Sequence, residues 1–134
     1  MAICGINLGG FGTGAIVEGN TINLHTNVDD NIRGINYVGW SNGIIQGNSI
    51  TIDDDEEGLS VRGILVAQDL DGAGGDNNTI SGNNVDLTNS RASDIGIYLG
   101  ANTTANAGSG NQFQGAGVNI SDNGAGNSVN ISGG

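Results

Sequence analysis

The chain of 134 residues contains 26 glycines, no proline and only 4% aromatic residues, a composition unlike that of an ordinary globular core. Fourteen acidic residues against three basic ones give a formal net charge of −11, which argues against nucleic acid and anionic membranes as partners. Helix-forming runs are missing, and the apolar residues recur at every second position. The sequence therefore favours β-strands separated by polar turns.

Three short phrases recur in a fixed order along the chain. The first is Gly-Ile followed by two further residues, and it begins at Gly5, Gly34, Gly63 and Gly96, so that successive copies are 29, 29 and 33 residues apart. The second is an apolar residue, a polar residue and glycine, at positions 17–19, 45–47, 80–82 and 113–115. The third follows at once as Asn and two apolar residues at alternate positions, at 20–24, 48–52, 83–87 and, in a weaker copy, 116–120.

Each phrase predicts a short strand, because apolar residues two apart place one face of a strand in a core. A repeat of this size buries its apolar face only when neighbouring repeats stack on it. We therefore expect residues 1–134 to form a single all-β domain, a three-sided parallel β-helix (β-solenoid) of about four to five turns without a helical cap. The turns start near Gly5, Gly34, Gly63 and Gly96, and a partial last turn lies near Val129.

Stacking of these turns predicts four columns of core residues. The columns are Ile6, Ile35, Ile64 and Ile97; Leu8, Tyr37, Val66 and Leu99; Ile22, Ile50, Val85 and Val118; and Leu24, Ile52, Leu87 and Ile120.

The Gly-Asn step between the second and third phrases predicts a sharp corner, since glycine and asparagine tolerate a left-handed backbone. The stacked asparagines Asn20, Asn48 and Asn83 are expected to hydrogen-bond to one another as a ladder. Ala116 interrupts this pattern in the fourth turn, and residues 126–131 are a competing copy of the same phrase.

This pattern resembles the right-handed parallel β-helix superfamily, which includes pectate lyases, phage tailspikes and many bacterial surface proteins, and the resemblance covers nearly the whole chain. It implies a right-handed solenoid with an asparagine ladder at Asn20, Asn48 and Asn83. It does not define an activity, because this architecture carries lyases, hydrolases, adhesins and inert stalks alike. Leucine-rich repeats have a similar length, but there Asn follows the strand, whereas here it precedes it.

Acidic residues gather in the loops that follow the third strand of each turn, beside Arg33 and Arg62. They are Asp29, Asp30, Asp53, Asp54, Asp55, Glu56, Glu57 and Asp94. The resemblance to polysaccharide lyases would make Arg62 the base that abstracts a proton, with Asp53 and Asp55 as calcium ligands. The favoured interpretation is a solvated edge on which each arginine offsets stacked negative charge, because the strands beside it carry few groups suited to catalysis.

A loop at residues 67–78 is a second candidate for calcium. Asp69, Asp71 and Asp76 alternate there with glycines and offer oxygen ligands, although the spacing is not that of an EF-hand. The alternative is a plain turn. We expect no other cofactor.

Four further residues say little about function in the sequence. Phe11 and Trp40 each lie six residues after a leading glycine, so we expect them to stack as either a covered aromatic pair or a platform for a sugar or a partner. His25 has no evident catalytic partner, and the single cysteine, Cys4, cannot form an internal disulfide.

These observations predict a non-enzymatic structural role. The repeats leave no room for a cap at either end, so we expect self-association through the end turns, as in an extracellular or cell-surface filament, an adhesin or a virion fibre. A trimer joined along its sides is also compatible with the repeats. The alternative function is a carbohydrate-active module, either a lyase fragment or a glycan binder that uses Trp40, Phe11 and Arg62. No apolar run is long enough for membrane insertion.

Overall fold

Short parallel strands make up the architecture of the computed structural model, which describes residues 2–26, 30–54, 60–88, 91 and 93–131. No helix occurs in these ranges, and none of them holds a segment that meets the length and hydropathy of a membrane-spanning helix. The strands are β1 (Ala2–Leu8), β2 (Gly12–Thr13), β3 (Ile16–Glu18), β4 (Thr21–Thr26), β5 (Asn31–Val38), β6 (Trp40–Ser41), β7 (Ile44–Gln46), β8 (Ser49–Asp54), β9 (Ser60–Ala67), β10 (Thr79–Ser81), β11 (Asn84–Thr88), β12 (Ile95–Leu99), β13 (Ala107–Gln114), β14 (Val118–Asp122) and β15 (Ser128–Ile131).

Strands from successive turns of the chain pair side by side in every sheet. The first sheet has the order β1-β5-β9-β12-β14. The second sheet runs β3-β7-β10-β13 and continues to β15, and the third runs β4-β8-β11-β13. Strand β13 belongs to both because it passes through the corner between them. The short pair β2-β6 lies between the first and second sheets in the chain. All pairs are parallel, which confirms the predicted all-β parallel solenoid.

The predicted core columns are confirmed in the first three turns. Ile35 pairs with Ile64, and Ile50 pairs with Val85, each one turn apart. These four side chains are at most 1% exposed. Apolar side chains two apart along each strand therefore form a continuous core. Burial of this apolar surface stabilises the fold by roughly 25 cal/mol for each Å² removed from water.

In the fourth turn, Ile97 and Leu99 lie in their predicted columns beside Ile64 and Val66, but the third-sheet strand differs from the prediction. Val118 and Ile120 do not join the third sheet; they lie in β14 and pair with Ile95 and Ile97 of the first sheet. The third-sheet position is filled by Phe113, which pairs with Val85. The predicted strand at residues 116–120 was thus assigned to the wrong sheet, and the partial last turn, in which Val129 lies, begins near Val118.

The strand was misassigned because residues 108–111 were not recognised in the sequence as a copy of the corner phrase. Glycine occupies position 108, where the other copies have Val17, Ile45 or Ile80. A Cβ there would overlap the backbone of Ile80, so the close approach of the chain requires glycine. Gly110 and Asn111 then repeat the Gly-Asn corner.

Candidate functional site

The predicted asparagine ladder is present between the second and third sheets. The Oδ1 atom of Asn83 accepts hydrogen bonds from the backbone N–H of Asn48 at 3.1 Å and from its Nδ2 at 2.9 Å. The second Nδ2 proton of Asn48 goes to the carbonyl of Val17 at 2.9 Å. Both donors of the buried amide are thus satisfied, which removes the cost of burying them.

The same geometry repeats along the stack. Asn20 donates to Asn48, and Asn83 donates to Asn111, each time from both the backbone and the side chain. The ladder therefore has four members, of which the sequence predicted Asn20, Asn48 and Asn83. Each is preceded by a glycine in the left-handed region, with φ of 67° at Gly19, 63° at Gly47, 62° at Gly82 and 74° at Gly110.

A second asparagine ladder, which sequence reasoning missed, stands at the start of the second sheet. Its members are Asn78, Asn106 and Asn127. Asn78 donates to the Oδ1 of Asn106 from its backbone N–H and from Nδ2, both at 3.0 Å, and Asn106 donates to Asn127 in the same way. The available signal was an asparagine two residues before Ile80, Gly108 and Val129.

The second turn replaces this ladder with a tyrosine. Gly43 occupies the position equivalent to Asn78, and its backbone N–H donates to the Asn78 Oδ1 at 2.9 Å. A Cβ on Gly43 would overlap the hydroxyl of Tyr37, which donates to the carbonyl of Ala15 at 3.2 Å. Tyr37 thus fills the space that an asparagine amide would take.

A column of left-handed residues precedes the second ladder. Its members are Gly14, Asn42, Asn77, Ala105 and Gly126, with φ of 77°, 55°, 55°, 56° and 69°. Asn77 donates to Asn42 at 2.6 Å, and Asn42 donates to the hydroxyl of Thr13 at 3.1 Å. Ala105 is the one member of this column that is neither glycine nor asparagine, and so it holds a strained backbone.

The structure describes only some of the acidic residues in the loops that follow the third strand of each turn. His25 and Asp53 pair across neighbouring turns, with Nδ1 and Oδ2 at 3.2 Å, and the hydroxyl of Thr26 donates to buried Asp54 at 3.2 Å. Asp94 is 2% exposed and accepts the backbone N–H of Arg91 at 2.7 Å. The proposed ligand Asp55, together with Asp29, Glu56 and Glu57, lies outside the described residues.

Two arginines lie side by side on the outer face of the first sheet. Arg33 of β5 and Arg62 of β9 are in register, as expected from the sequence. The Nη1 of Arg33 donates to the carbonyls of Ser60 at 2.9 Å and Ile32 at 3.1 Å. The guanidinium carbon of Arg62 lies 3.7 Å from the centre of the Tyr98 ring. Burial lowers the pKa of both arginines, and the neighbouring positive charge of Arg62 lowers the pKa of Arg33 further.

Two of the three carboxylates in the candidate calcium loop accept hydrogen bonds from different backbone partners. Asp69 Oδ1 accepts the backbone N–H of Asp71 at 3.0 Å and of Ala73 at 2.8 Å, so it closes its own turn. Asp76 Oδ1 accepts the backbone N–H of Thr104 at 2.8 Å in the next turn. Among the described residues, no group of three or more His, Cys, Asp or Glu side chains is close enough together to hold a metal ion. The calcium site remains a prediction.

The aromatic pair is out of register by one residue. Trp40 pairs with Gly12 rather than with Phe11, and the indole ring covers the space where a Cβ of Gly12 would lie. Trp40 packs partly buried against the core, and its Nε1 is buried without a partner among the described residues. Phe11 is 77% exposed. The two rings thus do not stack as the sequence predicted.

A groove of about 480 Å³ follows the glycine corners across four turns. Its lining is made of polar side chains and glycines: Glu18, Gly19, Gln46, Gly47, Ser81, Gly82 and Ser109. The Nε2 of Gln46 donates to Glu18 at 2.7 Å, so the polar groups at one end of the groove already form a connected row.

Comparison of the chain with known protein families, with curated proteins and with solved structures gave no match.

Proposed function

We propose that the chain is a non-enzymatic structural β-solenoid that assembles through its end turns, as a protomer or segment of an extracellular or cell-surface filament, an adhesin or a virion fibre. The fold also supports a proposal of membership in the right-handed parallel β-helix superfamily. The observation that carries the structural role is the exposure of apolar side chains on the first described turn. Ile16, in edge strand β3, is 64% exposed, whereas Ile44, with which it pairs in the next strand of the same sheet, is half-buried.

The core columns support the same proposal. Ile6 and Leu8 are only partly buried, although Ile35 and Tyr37, directly above them in the next turn, have no exposed surface. A further parallel turn placed on β1 would bury both side chains and would pair the free edge of the strand. A second copy of the chain offers such a turn.

The opposite end also presents apolar surface. Val118 in β14 is 39% exposed and Ile131 in β15 is 41% exposed. Contact between unlike ends is heterologous, and such contacts build open filaments rather than closed rings. The net charge of −11 supports this arrangement because it discourages association along the flanks.

The experiment compares two lysine variants by negative-stain electron microscopy and light scattering, with and without Ca²⁺. Ile16→Lys places a charge on the exposed edge strand. Thr79→Lys is the matched control, because Thr79 pairs with Ile44, the residue that pairs with Ile16, but lies in an interior turn. We expect fibres or head-to-tail oligomers from the wild type and the control, and their loss in Ile16→Lys.

Compact monomers at every ionic strength and Ca²⁺ concentration would contradict the proposal. A mass that stops at three copies and is insensitive to Ile16→Lys would point instead to a trimer joined along its sides.

A second candidate function is a carbohydrate-active module, and the groove along the glycine corners favours it. Hydroxyl and amide groups from successive turns, such as Gln46 and Ser81, suit the repeated hydroxyls of an extended glycan. Titration with neutral oligosaccharides and polyuronates, monitored also for unsaturated products, tests this function. This function would be ruled out if the titration shows no binding that weakens in Gln46→Ala and also yields no unsaturated product.

A further inference from the structure

Two of the three basic side chains of the protein lie next to each other. Arg33 and Arg62 are cross-strand partners on β5 and β9, in a chain that has 14 acidic residues and no lysine. Neighbouring strands are about 4.8 Å apart, and like charges directly opposite one another destabilise a sheet. Burial adds to this cost, as the lowered pKa of each guanidinium indicates.

Neither guanidinium has a counter-ion among the residues that the structure describes. The close contacts between basic and acidic side chains there join His25 to Asp53 and Arg91 to Asp94. The third arginine, Arg91, has a carboxylate partner. Asp94 accepts hydrogen bonds from the backbone N–H and from the side chain of Arg91.

The two side chains are nevertheless held in defined positions. Two backbone carbonyls fix the Nη1 of Arg33. Arg62 reaches diagonally across to β12, where the ring of Tyr98 supports its guanidinium at 3.7 Å. The Nε of Arg62 is buried without a partner. Its two terminal nitrogens are open to solvent.

We propose that Arg33 and Arg62 form a binding site for a dianionic tetrahedral oxyanion, a phosphate or sulfate group, with Tyr98 positioning the Arg62 guanidinium. A dianion neutralises both charges, whereas a carboxylate neutralises only one. Its several oxygens can accept from two guanidinia one strand apart, and planar guanidinium groups form strong charge-assisted hydrogen bonds with such oxyanions. The negative charge of the rest of the chain opposes the approach of the ligand, so the affinity depends on salt. This site does not depend on assembly through the end turns.

Arginine side-chain NMR tests the site directly, because the chain has only three Nε–H groups of this kind. Inorganic phosphate and inorganic sulfate are titrated into ¹⁵N-arginine-labelled protein at an ionic strength held constant with chloride. We expect the Nε–H resonances of Arg33 and Arg62 to shift along a saturable curve, and that of Arg91 to stay in place. No saturable shift, or a shift of Arg91 along the same curve, would overturn the proposal.

Charge-removing variants supply the second measurement. Arg62→Gln and Arg33→Gln are each expected to weaken phosphate binding on the order of tenfold or more, the loss of about 1.4 kcal/mol or more. Arg91→Gln is the matched control and should bind as the wild type does. If one variant fails to fold, the other variant and the wild-type shifts still decide. Equal binding by both folded variants would also overturn the proposal.

A third measurement identifies the source of the group. A sulfated disaccharide and its unsulfated counterpart are compared with inorganic sulfate. Tighter binding of the sulfated sugar supports recognition of an ester on a larger molecule, and equal binding supports recognition of the free ion. Binding of the unsulfated sugar with the same arginine shifts would overturn the oxyanion assignment.

Discussion

Asn48 directs two donors, its backbone N–H and its Nδ2, at the single Oδ1 atom of Asn83 one turn away, at 3.1 and 2.9 Å. The remaining Nδ2 proton reaches back to Val17 in the preceding turn. One buried side chain thus connects three successive turns of the solenoid. Such a fully satisfied polar row fixes the register of the strands, because a shift by one residue would leave every amide without a partner.

Asn83→Ala is expected to be strongly destabilising. The change removes the acceptor of two Asn48 donors and the donor to the Ile45 carbonyl, and it leaves these groups buried and unpaired. At about 1–3 kcal/mol for each orphaned group, we expect the free energy of unfolding to fall by about 3–5 kcal/mol. Urea denaturation followed by circular dichroism measures this change.

Asn20→Ala is the control for the interior ladder position. Asn20 lies in the first turn, is half-buried and donates its Nδ2 to Asn48. We expect a loss of about 1 kcal/mol. Equal losses for the two variants would show that the ladder contributes nothing beyond single hydrogen bonds.

Tyr37 and Gly43 are expected to be energetically coupled. In the third turn, Val66 occupies the position of Tyr37, and Asn78 occupies the position of Gly43. Gly43→Asn alone would collide with the Tyr37 hydroxyl, and Tyr37→Val alone would leave a cavity that costs about 3 kcal/mol. Together they remove the collision with the hydroxyl, although a Cβ at position 43 still meets the Ala15 carbonyl, and we expect a favourable coupling of about 2 kcal/mol.

A double-mutant cycle in urea measures this coupling. Additive effects would contradict the interpretation that Tyr37 occupies the place of an asparagine amide.

Ala105→Gly is expected to stabilise the protein by about 1 kcal/mol, because φ of 56° is costly for a residue with a Cβ and free of that cost for glycine. Ala107→Gly is the matched control. Ala107 lies in β13, where glycine lowers stability by roughly 0.5–1 kcal/mol. Thermal unfolding should therefore shift in opposite directions in the two variants, and a shift of the same sign would remove the explanation from backbone strain.

Alkaline pH is expected to destabilise the fold through Tyr37. Burial raises the pKa of Tyr37 above its ordinary value of 10.0, so the unfolded chain loses this proton at a lower pH than the folded protein does. The stabilisation that comes from keeping Tyr37 protonated is fully present below pH 10. It is lost as the pH rises from 10 through the higher pKa of the folded protein. Urea midpoints measured across this range should fall in the wild type.

Tyr37→Phe should flatten that pH dependence, and it should cost about 1 kcal/mol at neutral pH from the lost bond to Ala15. Tyr98→Phe keeps Tyr37 and should follow the wild-type curve. A decline that persists unchanged in Tyr37→Phe would assign it to another group.

The sequence predicted the architecture and the first three turns because every constraint there repeats in the same order. A leading Gly-Ile places Ile35 on Ile64, and a Gly-Asn corner places Asn48 on Asn83. Arg33 and Arg62 also followed from the repeat.

The remaining features fail to repeat, and for physical reasons. Gly108 replaces a core residue where the backbone comes too close for a side chain, which hides the fourth corner. Tyr37 interrupts the second ladder, and the step from Asn106 to Asn127 is 21 residues where the preceding step is 28. The contact of Arg62 with Tyr98 is diagonal, since Tyr98 is paired with Leu65, so strand alignment alone does not reveal it.

The stacking of successive turns determines the size of the loops that close during folding. Ladder contacts along the stack join residues 21, 28 or 35 positions apart, so each new turn closes a loop of 21 to 35 residues. Loop closure of that size costs about 3 kcal/mol, and the cost is offset only when the turn docks on one already formed. We therefore expect folding to advance turn by turn from whichever turn forms first, and a change that prevents docking of a middle turn should stop it there.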